Sequence, residues 1–407
     1  MARTATHRID SAIERVFREA YGQAVATLVR VFGDISIAED AVQDAFVVAG
    51  ERWSTDGIPP NPAGWIVTTA RRRAIDTLRR SNRGRELYGQ IAATQQAVAD
   101  EIEDEPVEDD QLRLIFTCCH PALREEHQIA LTLRLVGGLG VDEVARSFLV
   151  GEAAMAKRLV RAKYKIKAAN VPYRIPAEAD LPHRLRSVLA VLYLIYNTGA
   201  DGSGRGQLRS DAIRLARSVA ALMPDEPEVS GLLALMLLNE SRMRSRNLEG
   251  DLVLLRDQDR AKWDGALISE GHAIVRACIR QDRPGPYQLQ AAIQAVHCAA
   301  DSYEATDWPQ IVTIYNQLYA MTGGPVVALN RAIALAETDG PGVALAEMDE
   351  LTTLDGYHLF HAARGTMLRR LGRTGDARRA FETAASLAVT DADRRFLDRQ
   401  IGELASG

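Results

Sequence analysis

The chain reads as an all-α protein, and three observations carry that expectation. Apolar residues recur at helical spacing along most of the 407 residues, no stretch offers convincing period-two alternation, and the C-terminal third repeats with a period of 33 residues. The length is two to three times that of a typical single domain, so more than one core is expected. Hydrophobic residues at 47% and charged residues at 25% exclude a largely disordered chain. The longest apolar runs, Val188–Tyr196 and Leu232–Leu238, are about half of what a bilayer requires. The first ten residues lack an apolar signal core, which predicts a cytoplasmic protein, and Cys118, Cys119, Cys278 and Cys298 do not make a disulfide scaffold.

The elements follow in order. From Ile13 an apolar stripe runs through Val16, Phe17, Ala20, Tyr21, Ala24, Val25, Leu28, Val29 and Phe32, the pattern of one helix face. Ser36 and Glu39 fit a capping box that opens a second helix through Ala41, Val42, Ala45, Phe46 and Ala49. Asn61-Pro62 fit the cap and first turn of a third, which carries Trp65, Ile66, Ala70, Ala74 and Leu78. After Arg85 the periodicity fades into a polar, acidic connector ending near Asp110. A second helical block covers roughly Gln111 to Asn170 and is broken at Gly137-Gly138; Val171 to His183 holds three prolines and reads as a linker. Beyond it the chain is helical again, with Gly/Pro punctuation. In its last third Ile311, Ala344 and Ala377 correspond, as do Tyr315, Met348 and Phe381. A period of this length is the mark of stacked helix pairs, and Arg364–Leu387 resembles a tetratricopeptide repeat.

The net charge of −5 hides an uneven distribution. Gly64–Arg85 holds seven arginines and one acid, Arg146–Arg174 holds eight Lys/Arg and one acid, and Asp100–Asp110 between them holds eight carboxylates. Two basic blocks separated by an acidic linker suggest two polyanion-facing surfaces. In Leu139–Lys165 a short helix, a turn at Val150-Gly151 and a helix from Glu152 would pack through Val144, Ala145, Leu149, Met155 and Leu159. That leaves Ala153, Ala156, Lys157, Val160 and Arg161 outward, a helix-turn-helix with a cationic second helix suited to a major groove. In Asn61–Arg83, Trp65 stands with Arg71, Arg72, Arg73, Arg79 and Arg80, a set of the kind that binds unstacked bases and their phosphates, although Trp65 taken alone reads as a core residue.

Taken together, AEDAVQDAF (Ala38–Phe46), GWIVTTARRRAIDTLRR (Gly64–Arg80) and the helix-turn-helix resemble the extracytoplasmic-function sigma factors of the sigma-70 family over about residues 10–170. The remainder, through YLIYNTG (Tyr193–Gly199), RDQDRAKWD (Arg256–Asp264) and GPYQLQAAI (Gly285–Ile293), resembles the subgroup with a fused tetratricopeptide-like domain. The resemblance implies sigma region 2 over 10–85, an acidic linker over 86–110, region 4 over 111–170, a Pro-containing linker over 171–186 and a helical regulatory domain over 187–407. It implies core RNA polymerase (β′ clamp and β flap) and promoter DNA as partners, and a regulatory protein or intramolecular contact through the C-terminal domain. Glu39, Asp40, Gln43 and Asp44 would face polymerase. Trp65, Arg71, Arg72, Asp76, Arg79 and Arg80 would melt and read the −10 element, with Asp76 near a flipped base. Ala156, Lys157, Val160 and Arg161 would read the −35 element, with Arg158 and Lys163 on phosphates.

Cys118-Cys119-His120 lacks the usual zinc-ligand spacing and reads as residues packed at a helix start. Arg73 is expected toward the buried side. No paired-carboxylate or Ser/His set has persuasive spacing, so neither catalysis nor a metal or cofactor is expected. A helix-turn-helix regulator with a tetratricopeptide-like sensor domain is the alternative reading, and a repeat scaffold with incidental basic faces is a second.

Overall fold

The computed structural model describes residues 16–17, 20–80, 107–148, 150–199, 206–248, 251–388 and 390–406. The expected 86–110 linker as far as residue 106, the start of the first helical stripe and Leu149 of the helix-turn-helix lie outside the described residues. The chain divides into two compact units, residues 1–195 and 196–407. Extended pairing among the described residues is confined to a two-residue antiparallel ladder, Asn247–Leu248 with Asp251–Leu252. The all-α expectation is met.

The first unit starts with helix α1 (20–32), which ends where Gly33 takes a left-handed φ of 65° and its N–H returns to the Val29 carbonyl. Helix α2 (Ile35–Asp56) is capped by Asp34, whose carboxylate accepts from the N–H groups of Ser36 and Ile37. The expected Ser36/Glu39 capping box is therefore corrected: Ser36 lies inside the helix, and the Glu39 carboxylate is engaged elsewhere. Helix α3 (Pro62–Arg80) has the expected Asn61 cap, its side chain accepting from Gly64 N–H at 2.9 Å. Ile66, Ala70, Ala74 and Leu78, at four-residue steps, bury one face of α3 against α2.

Helix α4 (Val107–Cys118) begins inside the segment expected as linker. Its Asp110 is an anchor, buried and paired with Arg30 and Arg113, each at 2.9 Å. Cys118 and Cys119 are buried, as expected, but at the end of a helix rather than its start. Helix α5 (Glu125–Leu131) continues into a π turn (Thr132–Val136), then the chain turns at Gly138 with φ 73° into α6 (Val141–Ser147) and α7 (Glu152–Ala168). A Cβ on Gly22 would sit 2.5 Å from the Val136 carbonyl oxygen, so α1 and the π turn touch at backbone distance. Tyr173, in the Pro-containing segment, donates to the carbonyls of Ala26 and Asp110. Helix α8 (Leu181–Thr198) runs through the expected 186/187 boundary.

The second unit continues with α9 (Gly206–Leu222), α10 (Pro227–Glu240) and the single turn α11 (Met243–Arg246). Then come α12 (Gly265–Gln281), α13 (Pro286–Ala299), α14 (Trp308–Thr322), α15 (Pro325–Thr338) and α16 (Pro341–Asp349). The last three are α17 (His358–Arg370), α18 (Thr374–Leu387) and α19 (Asp391–Ser406). Prolines 227, 286, 325 and 341 each open a helix, where the missing N–H costs nothing. The helices α14, α16 and α18 start 33 residues apart, and so do α15, α17 and α19. The equivalent residues Ile311, Ala344 and Ala377 are all fully buried. Within this series a Cβ on Gly365 would sit 2.8 Å from the Phe381 ring, so α17 and α18 cross closely only because residue 365 has no side chain. At the far end α19 packs back against the Asp251–Leu252 strand.

Candidate nucleic-acid interface

Burying one stripe of α3 leaves Arg72, Arg73, Asp76 and Arg79 exposed on the others, with Arg71 half-buried. Arg73 was expected on the buried side and is corrected: the stripe runs 66-70-74-78, which turns position 73 outward. Trp65 is half-buried, its ring 5.4 Å from Trp53 in an edge-to-face contact, while Trp53 itself is 2% exposed. Trp53 fills the core and Trp65 lies over it at the head of the basic helix. The Arg80 side chain lies outside the described residues.

The two helices of the helix-turn-helix fall where expected. Met155, Leu159, Ala162 and Ile166 bury one side of α7. Ala153, Lys157, Val160, Arg161 and Tyr164 stand on the other, Val160 61% and Tyr164 72% exposed, with Ala156 half-buried at its edge. Apolar surface left that open beside cations suits base edges, where a thymine methyl offers a contact. Tyr164 was not among the residues expected on this face, although it stands one i, i+4 step beyond Val160. Arg158 is turned to the body of the domain, over the Phe148 ring at 5.1 Å and 3.7 Å from Glu126.

The four expected polymerase-facing residues separate into two pairs. Asp40 and Asp44 are exposed on α2, and Val47, 65% exposed, and Glu51 extend the same line at helical spacing. Although Asp40 is exposed, partial shielding of its carboxyl from water pushes it up from its ordinary value; Lys163 opposes this, and Glu39, Asp44 and Asp34 add to it. Glu39 points the other way and is buried. Its Oε1 accepts from Arg134 Nε at 2.7 Å and from Gln43 Nε2 at 3.1 Å, and its Oε2 accepts from Lys163 Nζ at 2.9 Å. Arg134 also donates to the Leu139 carbonyl and lies over the Tyr21 ring at 5.4 Å. At the edge, Lys167 reaches the Asp34 carboxylate at 3.3 Å. Burial alone would raise the Glu39 carboxyl, but Lys163 and Arg134 together hold it below the usual range.

Glu39, expected on polymerase, and Lys163, expected on DNA phosphate, are therefore joined to each other here. The seam they close runs from the α1–α2 layer to α7 and is finished by Tyr21, Gly22 and Val136. Arg134 was also missed. Its signal was a lone cation in the apolar run Ile129–Val136, a position that requires a buried partner.

No helix among the described residues is long and apolar enough to cross a membrane. Residues 16–84 match the family Sigma-70 region 2, and residues 184–279 match a family of unknown function, DUF6596. The chain is 40% identical over 406 residues to the uncharacterized protein R00370 of Rhizobium meliloti (strain 1021), covering 97% of this chain and 96% of that one. It is 26% identical over 137 residues to the ECF RNA polymerase sigma factor SigK of Mycobacterium ulcerans (strain Agy99), covering 32% of this chain and 70% of that protein. A third relative, the probable ECF RNA polymerase sigma factor SigI of Mycobacterium tuberculosis (strain CDC 1551 / Oshkosh), is 26% identical over 35% of this chain and 50% of its own length. No solved structure matches the chain. The chain belongs to the family of the Rhizobium meliloti protein, and its residues 16–84 carry a Sigma-70 region 2 domain.

Proposed function

We propose that the protein is a sigma factor that binds core RNA polymerase through the exposed line Asp40, Asp44, Val47 and Glu51, and directs it to promoters with its two basic helices. In this reading α7 reads the −35 duplex through Lys157, Val160, Arg161 and Tyr164. Helix α3 holds the melted −10 strand through Arg72, Arg79 and the Trp65 platform, with Asp76 beside the flipped base. The observation that carries the reading is the outward basic face of α3, inside the segment that matches Sigma-70 region 2. A regulator that binds only duplex DNA has no use for an aromatic-headed arginine helix in a second domain.

The ion cluster at Glu39 supports a further step. While Lys163 is bound to Glu39 it is unavailable to a phosphate, and Glu39 is unavailable to polymerase. Binding to core polymerase then has to part α2 from α7. The second unit, a series of helix pairs, regulates that opening or the polymerase contact, as stacked repeats present extended surfaces to protein partners.

The test is in vitro transcription with core RNA polymerase, a promoter pool and the full-length protein. Initiation from a defined subset of promoters, lost when Arg72 and Arg79 are both changed to alanine while duplex binding remains, is the expected result. Duplex binding without initiation under any condition would instead support the regulator reading.

A further inference from the structure

One face of the second unit lacks the charge that an equivalent face in the same series of repeats carries. Residues 308–330, all of α14 and the first turns of α15, hold no Lys, Arg, Asp or Glu, in a chain that is 25% charged. Helix α14 buries Ile311 and Leu318 against α13 and α15. Its opposite side, Gln310, Thr313, Gln317 and Met321, is exposed, Met321 to 50%. Helix α16 continues that side one repeat later with Val343, 45% exposed, and Ala346. The two helices flank α15, whose Arg331 donates to Asn316 of α14 and to Glu347 of α16, each at 2.6 Å.

The 33-residue register supplies an internal comparison. Gln310, Val343 and Asp376 occupy one repeat position, and Thr313, Ala346 and Arg379 another. The same side of α18 thus carries Asp376 and Arg379, joined to each other, with Glu382 one turn on, as a solvated helix face does. Nothing in the repeat itself excludes charge there, so its absence from α14 and from the first half of α16 marks a surface suited to contact with protein. The polar groups that remain point to the partner. Near a two-fold axis each group meets its own copy. A carboxylate or a guanidinium then repels itself, whereas a carboxamide holds both a donor and an acceptor and pairs with another carboxamide. Gln310 and Gln317 make no side-chain hydrogen bond among the described residues, and the Thr313 hydroxyl is satisfied within the helix by the Pro309 carbonyl at 2.9 Å. A partner of different sequence is steered by complementary charge, which this face does not offer.

We propose that this face of α14 and α16 pairs with the same face of a second copy of the chain, with the two-fold axis near Gln317, and that the second unit is thereby a dimerisation module. Met321 and Val343 supply the apolar contact, and Gln310 and Gln317 the hydrogen bonds across it. The pairing uses none of the promoter-reading residues, so its failure leaves the proposed function standing.

Sedimentation velocity of the full-length protein across the micromolar range reads the pairing. Wild type is expected to pass from monomer to dimer as concentration rises. Gln317→Glu and Gln317→Lys each set like charges against one another across the axis, and each is expected to weaken the dimer at least about tenfold. Mixing the two variants in equal amounts is expected to restore the dimer, because a carboxylate then meets an ammonium; a misfolded chain is not rescued in this way. Thr383→Glu, an exposed site at the equivalent repeat position on α18, is expected to leave the dimer unchanged. Four results would overturn the pairing: a monomer at every concentration, a dimer that tolerates both charges at residue 317, a mixture no tighter than either variant alone, or equal disruption by Thr383→Glu. In the first case a different protein, or the first unit of the chain, covers the face.

Discussion

Changing Glu39 to glutamine removes a charge while keeping the size of the side chain. The amide oxygen can still accept from Arg134, but an NH2 now faces Lys163 Nζ where the carboxylate stood 2.9 Å away. The side chains of Glu39 and Arg134 are 7% and 6% exposed, so neither cation recovers its hydration in the closed arrangement. Deleting one member of a buried ion pair costs about 3–5 kcal/mol. Glutamine keeps one hydrogen bond and Lys163 lies nearer the surface, which reduces the expected loss to about 2 kcal/mol. That loss multiplies the population with α2 parted from α7 by about thirtyfold. Because the chain has two compact units, a global melt is the wrong assay; amide hydrogen exchange along α2 and α7 reports the opening directly. Exchange there is expected to accelerate, and binding of the free protein to −35 duplex to tighten, while exchange in α17 and α18 stays constant. Adding Lys163→Met is expected to recover about 1 kcal/mol or more, because the stranded ammonium is gone. Unchanged exchange in α2 and α7, or a double variant whose effects simply add, would refute the reasoning.

Other consequences are equally direct. The Glu39 carboxyl is held below its ordinary value in the folded chain, so its contribution is present above the unfolded value and lost as pH falls through the folded one. Exchange protection in α7, taken relative to the intrinsic amide rate at each pH, should therefore be flat near neutrality and fall only below the usual carboxylate range of about 4, and a transition near pH 6 would contradict the assignment. Arg161→Ala is expected to lower the salt slope of duplex binding by about one unit with no effect on single-strand binding, read by titration at several salt concentrations. Gly365→Ala forces a methyl into the Phe381 ring and should destabilise the second unit by about 1–3 kcal/mol, seen as faster exchange in α17 and α18.

What the sequence showed and what it hid divides along chain distance. The α3 stripe, the helix-turn-helix and the 33-residue register are local patterns, and each was legible because helical period and capping residues act over a few positions. The Asn61 cap was read correctly. The Ser36 cap was not, because the Asp34 carboxylate, two residues earlier, opens the helix by accepting from the N–H groups of Ser36 and Ile37. Glu39 looked like a surface carboxylate among Asp40, Gln43 and Asp44; its partners lie 95 and 124 residues away, and nothing local announces them. Asp110 was hidden in the same way, one acid in a run of eight that pairs with Arg30, 80 residues earlier. In the second unit the Arg256–Asp264 motif alternates in charge, a pattern that does not say which charges turn inward. Arg260 closes the C-terminal end of α13, through the carbonyls of His297 and Ala300.

The return of α19 to the strand at Asp251–Leu252 changes what kind of object the second unit is. A row of helix pairs with a bare end frays from that end, each pair lost at the cost of one interface. Here the last helix is stitched to a segment some 140 residues earlier in the chain, so the row has no loose end to start from. Damage near the C-terminus is then not a local event. A chain cut before residue 391 uncovers the hairpin that leads directly into the Arg256–Asp264 motif, so the loss reaches a segment remote in sequence from the cut.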